Sequence, residues 1–434
     1  MLDHRPTAPA DVLIRGAHVL DPRTGLDARL DVLIRGGEIA EIGSGLQFDG
    51  DVVDGTGKHL FPGFVDPHVH LRVPGQEHKE DLESGTRSAA AGGFVAVVAM
   101  PNTTPTVDSA PVLRSLRDAA RREARVPVGF MASVTLGLDG DALTEMAELR
   151  DAGALGFTDD GKPVYRAGIL RKALQYQKLA GGIIALHEED PTLSGKGVMH
   201  EGEVSARLGL TGIPSISEST LIARDAAIAG YEGGRIHIQH LSARESVEAI
   251  ADAKARGVRI TCEASPHHLT LTDAELLRRL DTRLKMNPPL RTEDDRQALI
   301  EGLKSGVIDC IATDHAPHAR EEKEVPFEEA PMGTTGLETA FAAVYTADVL
   351  PLALVVEKLS AGAELMGLPT PRIEVGRPAD VVLIDLEAEW EVGEAGYESR
   401  SENCCFAGRR LRGKVLTTIA AGGIVYRERK LSVV

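Results

Sequence analysis

Gly63-Phe-Val-Asp-Pro-His-Val-His-Leu-Arg72 is an apolar run that ends in two histidines and an arginine, spaced two residues apart. Side chains of an extended strand alternate between faces, so His68, His70 and Arg72 share one face if extended geometry holds to the end. Paired imidazoles are the start of a metal site, and a guanidinium beside them can clamp an anion. Taken alone, the same spacing also describes two half-buried histidines and a surface arginine. The surrounding chain decides between these readings.

Apolar, β-branched runs recur after this one at Phe94–Pro101, Val126–Val134, Ala154–Asp160, Gly182–His187, Arg235–Leu241, Val258–Ala264 and Val307–Asp314, making eight with Gly63–His70. Between them lie segments with helical spacing: Ala110–Arg122, Asp141–Ala152, Ala167–Leu179, Ser217–Ala229, Ala243–Arg256 and Asp294–Lys304. Continuous apolar strands alternating with helices predict a parallel sheet covered on both faces. Eight such units suit a (β/α)8 TIM-type barrel, whose site lies at the carboxyl ends of the strands. A doubly wound open sheet is the alternative, weakened by the lack of a G-x-G-x-x-G after the first strand.

Both chain ends read differently. Asp11-Val-Leu-Ile-Arg-Gly and its near-copy Asp31-Val-Leu-Ile-Arg-Gly are short strands broken by turn residues, as are Arg377–Asp385 and Lys414–Tyr426. The expectation is a barrel over residues 62–370 inserted in a small β-sandwich domain built from residues 1–61 and 371–434. His18 and His59 fall in this part and are read as surface or core residues.

A formal net charge of −17 argues against nucleic-acid binding and against docking on anionic lipid. An anionic substrate would then need local positive charge. Cys262, Cys310, Cys404 and Cys405 show no C-x-x-C spacing, which fits a reducing compartment. Met1–Gly16 lacks the order of a signal peptide, and no apolar run approaches the roughly 20 residues of a membrane span. The expected location is the cytoplasm.

The residues that end the strands carry the chemistry. His68 and His70 end the first run, Asn102 follows the second, Asp160 ends the fourth, His187 the fifth, His240 the sixth, and Asp314 the eighth, with His318 just beyond. Five of 14 histidines thus sit at strand ends, where a barrel gathers them on one rim. Nitrogen ligands with carboxylates suit zinc and similar divalent ions, and four histidines with two aspartates exceed the needs of one catalytic zinc. Two metals would use the set. Asp159-Asp160-Gly161 also reads as a turn. Arg72, Asn102, Asn287 and His318 offer donors for a carboxylate. His267 and His268 are adjacent and are read as packing behind the ligands. Arg320–Pro331 is polar, without helical periodicity, and could close over the site.

These motifs, together with Met-Pro-Asn-Thr, Phe-Thr-Asp-Asp-Gly, His-Leu-Ser, Lys-Met-Asn-Pro-Pro-Leu-Arg and Thr-Asp-His-Ala-Pro-His, resemble the amidohydrolase superfamily. Within it they are similar to the dihydroorotases of the class I bacterial type, in order along nearly the whole chain. The resemblance implies two divalent metals, zinc first among them. One would be held by His68, His70 and Asp314, the other by His187 and His240, with Asp160 bridging. It implies substrate contacts at His70, Arg72, Asn102, Asn287, His318, Met332 and Gly333. Val73, where the family often has glutamate, departs from the pattern.

The implied reaction is the reversible interconversion of L-dihydroorotate and N-carbamoyl-L-aspartate in pyrimidine synthesis, through a metal-bound hydroxide with Asp314 as general base and then acid. A homodimer is the expected assembly, with room for association with aspartate transcarbamoylase. A hydantoinase or allantoinase shares the metal site, and Arg72 with Asn102 argues against those neutral substrates. A non-catalytic scaffold homologue would have lost ligands, and none is missing. A two-metal phosphatase or nuclease is disfavoured by the negative charge and by the lack of a phosphate-binding glycine loop.

Overall fold

The computed structural model describes residues 1–428. Eight parallel strands occupy the predicted runs: Phe64–Val69, Phe94–Ala99, Val128–Phe130, Gly156–Thr158, Ile183–Leu186, Arg235–Ile238, Arg259–Ala264 and Cys310–Ile311. Continuous ladders join the first three strands, and others join the fourth to the eighth. Two single parallel bridges, Ala132 to Phe157 and Val69 to His315, span the remaining gaps. The Thr158 N–H donates to Ala132 O at 2.9 Å, and the His70 N–H donates to His315 O at 2.8 Å. The pairings therefore run once round and return to the first strand. Most ring-strand residues are buried, which is why their sequences are apolar runs and not alternations. Gly63 is needed where it stands, because a Cβ there would lie 2.2 Å from Val95 Cγ1.

Helices Ala110–Glu123, Ala167–Ala180, Ile216–Glu232, Arg244–Ala255 and Glu293–Ser305 match the periodic segments within a few residues. The last begins with a capping box between Thr292 and Asp295 and ends at Gly306, whose φ of 79° is left-handed. The segment expected to be helical over 141–152 is helical only over Met146–Asp151. Leu143 instead bridges Thr135, and the Thr144 hydroxyl donates to Ser133 O at 2.8 Å, so side-chain bonding outcompetes the helix start. Helices Ala340–Ala347 and Leu352–Ser360 follow the eighth strand.

The chain ends meet in one sheet. Its order is Gly423–Arg427, Arg410–Ala420, Val381–Glu391, His59–Pro62, Val12–Asp21, Leu26–Arg35 and Glu38–Gly43, with Asp51–Asp54 also on Val12–Asp21. The near-copies pair antiparallel, Val12 opposite Ile34 and Ile14 opposite Val32. A bulge between Ile14 and Ala17 falls where Val12–Asp21 exchanges Asp51–Asp54 for His59–Pro62 as its parallel partner. What was expected as a sandwich is hydrogen-bonded as this single eight-stranded sheet, around a core that includes Val12, Ile14, Val32, Ile34, Leu60 and Val381. His18 and His59 stack at 4.9 Å. All four cysteines are free and buried. No helix among the described residues is long and apolar enough to cross a membrane.

Candidate active site

The first strand delivers His68 and His70 to the same place, their rings 5.4 Å apart. The alternation stops there: the strand ends at Val69 and Arg72 has a φ of 61°, so the extended geometry assumed for Arg72 does not persist. His240, with φ 34°, and Asp314, with φ 48°, are also left-handed. Such backbone costs on the order of 1–3 kcal/mol per residue and is held only where the surroundings over-determine it.

Two donor groups converge and share one residue: His68, His70 and Asp160 on one side, Asp160, His187 and His240 on the other. Asp160 Oδ1 lies 3.4 Å from His68 Nε2, 3.6 Å from His240 Nε2 and 3.8 Å from His187 Nδ1, while Oδ2 lies 3.3 Å from His70 Nε2. Asp314 Oδ1 is 3.1 Å from His70 Nε2 and 3.6 Å from His68 Nε2. All six side chains are buried, and Asp160 Oδ1 has no hydrogen-bond partner. Burial alone would raise Asp160, but the charge of His68 and the close approach of the His240 and His68 imidazoles hold it well below the usual carboxylate range. An orphaned carboxylate oxygen facing imidazole nitrogens, shared between two such sets, fits divalent cations. Asp159 turns elsewhere and accepts the N–H groups of Val134 and Thr135, so it is the turn residue of the pair.

Carboxylates stand behind two of the histidines, and neither was singled out from the sequence. Glu263 Oε1 is 2.6 Å from His68 Nδ1, and its Oε2 is 3.0 Å from His237 Nε2. Glu189 Oε2 is 3.3 Å from His187 Nε2 and accepts Asn287 Nδ2 at 2.6 Å. Burial pushes Glu189 up, but the contacts with His187, Asn287 and Ser194 together outweigh it and leave the carboxyl at about 2. Glu263 did carry a signal: an acid within the apolar run Val258–Ala264 is costly to bury unless it is paired.

The remaining predicted residues border the cluster. Asn102 Oδ1 is 2.9 Å from His70 Nδ1. Arg72 is buried and donates from Nε to Pro317 O at 3.0 Å; burial lowers it to about 10, so it stays cationic at neutral pH. His318 is pushed down to about 3 by burial and by the nearby Arg72 and Lys323 charges, so it is a neutral imidazole, and its Nε2 is 2.9 Å from Met332 O. Gly333 donates its N–H to Lys285 O at 2.9 Å, and a Cβ there would lie 2.9 Å from His318 Nε2. Asn403, from the C-terminal part of the chain, accepts the His318 N–H at 3.0 Å and donates to Ala316 O and Gly333 O. In the 320–331 segment, Arg320–Lys323 is a short helix. Lys323 Nζ reaches Thr282 O, Lys285 O and Pro331 O at 3.0, 3.3 and 2.7 Å, pinning the segment down. His267 and His268 are buried with rings 4.5 Å apart, outside both donor groups.

Residues 57–246 match the family model described as Dihydro-orotase-like. The chain is 43% identical over 425 residues to a dihydroorotase of Trichlorobacter lovleyi, covering 96% of this chain and 100% of that protein. It is 45% identical over 424 residues to a dihydroorotase of Pelotomaculum thermopropionicum, covering 96% and 99%. Among solved structures it is similar to the L-hydantoinase (dihydropyrimidinase) of Arthrobacter aurescens, at 24% identity and a TM-score of 0.85, covering 98% and 97% of the two chains. It is also similar to the dihydropyrimidinase of Brevibacillus agri, at 23% identity and a TM-score of 0.83, covering 98% and 96%. At those identities the structural likeness speaks for the fold.

Proposed function

The chain belongs to the dihydroorotase family, and from that premise we propose how its strand-end cluster interconverts L-dihydroorotate and N-carbamoyl-L-aspartate. In this reading the strand ring is a (β/α)8 barrel over residues 62–370, with its site at the carboxyl ends of the strands. Residues 1–61 and the described part of 371–434, up to residue 428, form a separate small β domain. His68, His70 and Asp314 would hold one divalent cation, His187 and His240 the other, with Asp160 between them; zinc suits this donor set. Bound there, the pair would supply Lewis-acid activation of water and of the amide carbonyl. The observation that carries the reading is Asp160, an ionised, buried carboxylate whose Oδ1 has no donor although imidazole nitrogens surround it.

L-Dihydroorotate is an anion through its carboxylate, and Arg72 keeps its charge at neutral pH. Arg72 and the Asn102 amide bind that carboxylate, with the 332–333 backbone and His318 closing the pocket. Asp314 is ionised: burial raises it, but the His70 hydrogen bond and the His68, His70 and His240 charges outweigh this and hold it at about 2. Its carboxylate accepts the proton of the attacking water and returns it to the ring nitrogen as the amide C–N bond breaks. Closure runs the steps in reverse, releasing water and consuming one proton overall, so acid favours synthesis.

Hydantoinase chemistry is the competing reading, and the carboxylate clamp separates the two. Purified, metal-analysed protein assayed with dihydroorotate, hydantoin and allantoin side by side should prefer dihydroorotate. Preference for either neutral ring would overturn the clamp.

A further inference from the structure

Asn102 and Asn287 each touch a histidine of the cluster, and in both cases the chemistry of the partner fixes which end of the amide is free. His70 turns Nε2 into the donor cluster beside Asp160 and Asp314, and a cation held there would take the Nε2 lone pair and leave the proton on Nδ1, which donates to Asn102 Oδ1 at 2.9 Å. The Asn102 NH2 is thereby left for a ligand. On the other side, His187 turns Nδ1 toward His240 Nε2 at 2.9 Å and Asp160 at 3.8 Å, leaving Nε2 facing Glu189. An ionised carboxylate only accepts, so Glu189 Oε2 takes both the His187 Nε2–H and the Asn287 Nδ2–H. The 3.4 Å approach of Asn287 Nδ2 to His187 Nε2 is then two donors sharing one acceptor. Asn287 Oδ1 is the end left free.

We propose that Glu189 is a positioning residue that does two things at once: it directs His187 Nδ1 into the cluster, and it turns the Asn287 carbonyl toward the substrate. The rim is therefore polar in one sense only. Asn102 donates, toward the substrate carboxylate, and Asn287 accepts, from a substrate N–H. A cyclic or ureido substrate with an N–H opposite its carboxylate matches this polarity, and an N-alkylated one does not. The assignment rests on the dihydroorotase reading above and adds to it a specificity element. Glu189 suits the role because its side chain is 21% exposed, at the mouth, while the histidine it supports is 4% exposed.

The test uses the full-length, zinc-saturated chain. Glu189→Ala, Glu189→Gln, Asn287→Ala and the Glu189→Ala/Asn287→Ala double variant are compared for KM and kcat on dihydroorotate, and for zinc kept against a chelator. Glu189→Ala should raise KM about tenfold with a smaller change in kcat, in line with one lost hydrogen bond to a charged group. It should also release zinc 10- to 100-fold more readily, the usual effect of removing a carboxylate behind a ligating histidine. Asn287→Ala should raise KM alike but keep its zinc, and the double variant should be no worse in KM than either single one. Glu189→Gln, which keeps an acceptor oxygen, should recover most of both losses. KM effects that multiply in the double variant, or wild-type KM and zinc retention in Glu189→Ala, would overturn the proposal. If the wild-type chain turns over hydantoin and not dihydroorotate, the functional reading falls instead, and the zinc comparison still decides whether Glu189 supports His187.

Discussion

Glu263 behind His68 and Glu189 behind His187 are the same device in opposite surroundings. Glu263 is 1% exposed and spends its second oxygen on another buried imidazole, that of His237. Glu189 is partly open and spends its oxygen on Asn287, a residue of the substrate side. The closed corner also contains Asp314, within 3.1 Å of His70. On the proposed function the difference becomes a division of labour: the closed corner would govern proton transfer and metal grip, and the open corner would couple metal grip to substrate binding. Changes at the first should appear in kcat and zinc affinity with KM unmoved, and changes at the second in KM and zinc affinity together.

The largest effect belongs to Asp314. Asp314→Asn should keep its fold and lose about 10²- to 10⁴-fold in kcat, the usual contribution of a general acid–base group. Zinc content and steady-state rates measured together check this, and near-wild-type turnover would place the proton elsewhere. Arg72→Gln comes next. Loss of a buried charge-assisted bond, about 1.5–3 kcal/mol, corresponds to roughly 10- to 150-fold in KM for dihydroorotate. Any hydantoin turnover should be untouched, so equal losses on both substrates would mean that Arg72 serves the fold and not the carboxylate. Glu263→Gln should weaken zinc binding about 10- to 100-fold. When zinc is saturating, its KM should match wild type; a raised KM would erase the contrast with Glu189.

Much of this was legible because donor residues at strand ends leave a double mark, an apolar run and then a histidine or aspartate. The apolar runs located all eight ring strands, and the His or Asp ending on the first, fourth, fifth, sixth and eighth of them led to both donor groups. Alternation overreached at Arg72, since a left-handed residue leaves no trace in the identities around it. Asp160 could be preferred to Asp159 only by spacing, and the structure shows the physical reason: Asp159 is consumed by the N–H groups of Val134 and Thr135. Glu189 looked like one acid among the three in Glu188-Glu189-Asp190. Its meaning depends on Asn287, about a hundred residues away, just as that of Asn403 depends on His318. Pairings across such separations are products of topology and cannot be read from local pattern.

The smallest effect isolates what a carboxylate does to an imidazole here. His68 and His187 are buried, which disfavours their charge, yet the acids around them raise both above the ordinary histidine value. His268 is equally buried but hydrogen-bonds only neutral partners, Ser265 Oγ at 2.7 Å and Pro288 O at 3.0 Å, and burial outweighs the charge of Glu218 and pushes it down to about 4. The unfolded chain therefore binds a proton at His268 between about pH 6.5 and 4 that the folded chain refuses. Stability contributed by keeping this imidazole neutral is present above pH 6.5 and is lost as the pH falls through that window, by at most about 1.4 kcal/mol per pH unit. His268→Gln cannot take up that proton. Its melting temperature should lie below wild type at pH 8, where a fitted hydrogen-bond pair has been replaced, and the gap should narrow on going to pH 4.5. A gap that stays constant across the window would mean that His268 is not held neutral, and that burial without a carboxylate is not what separates it from His68 and His187.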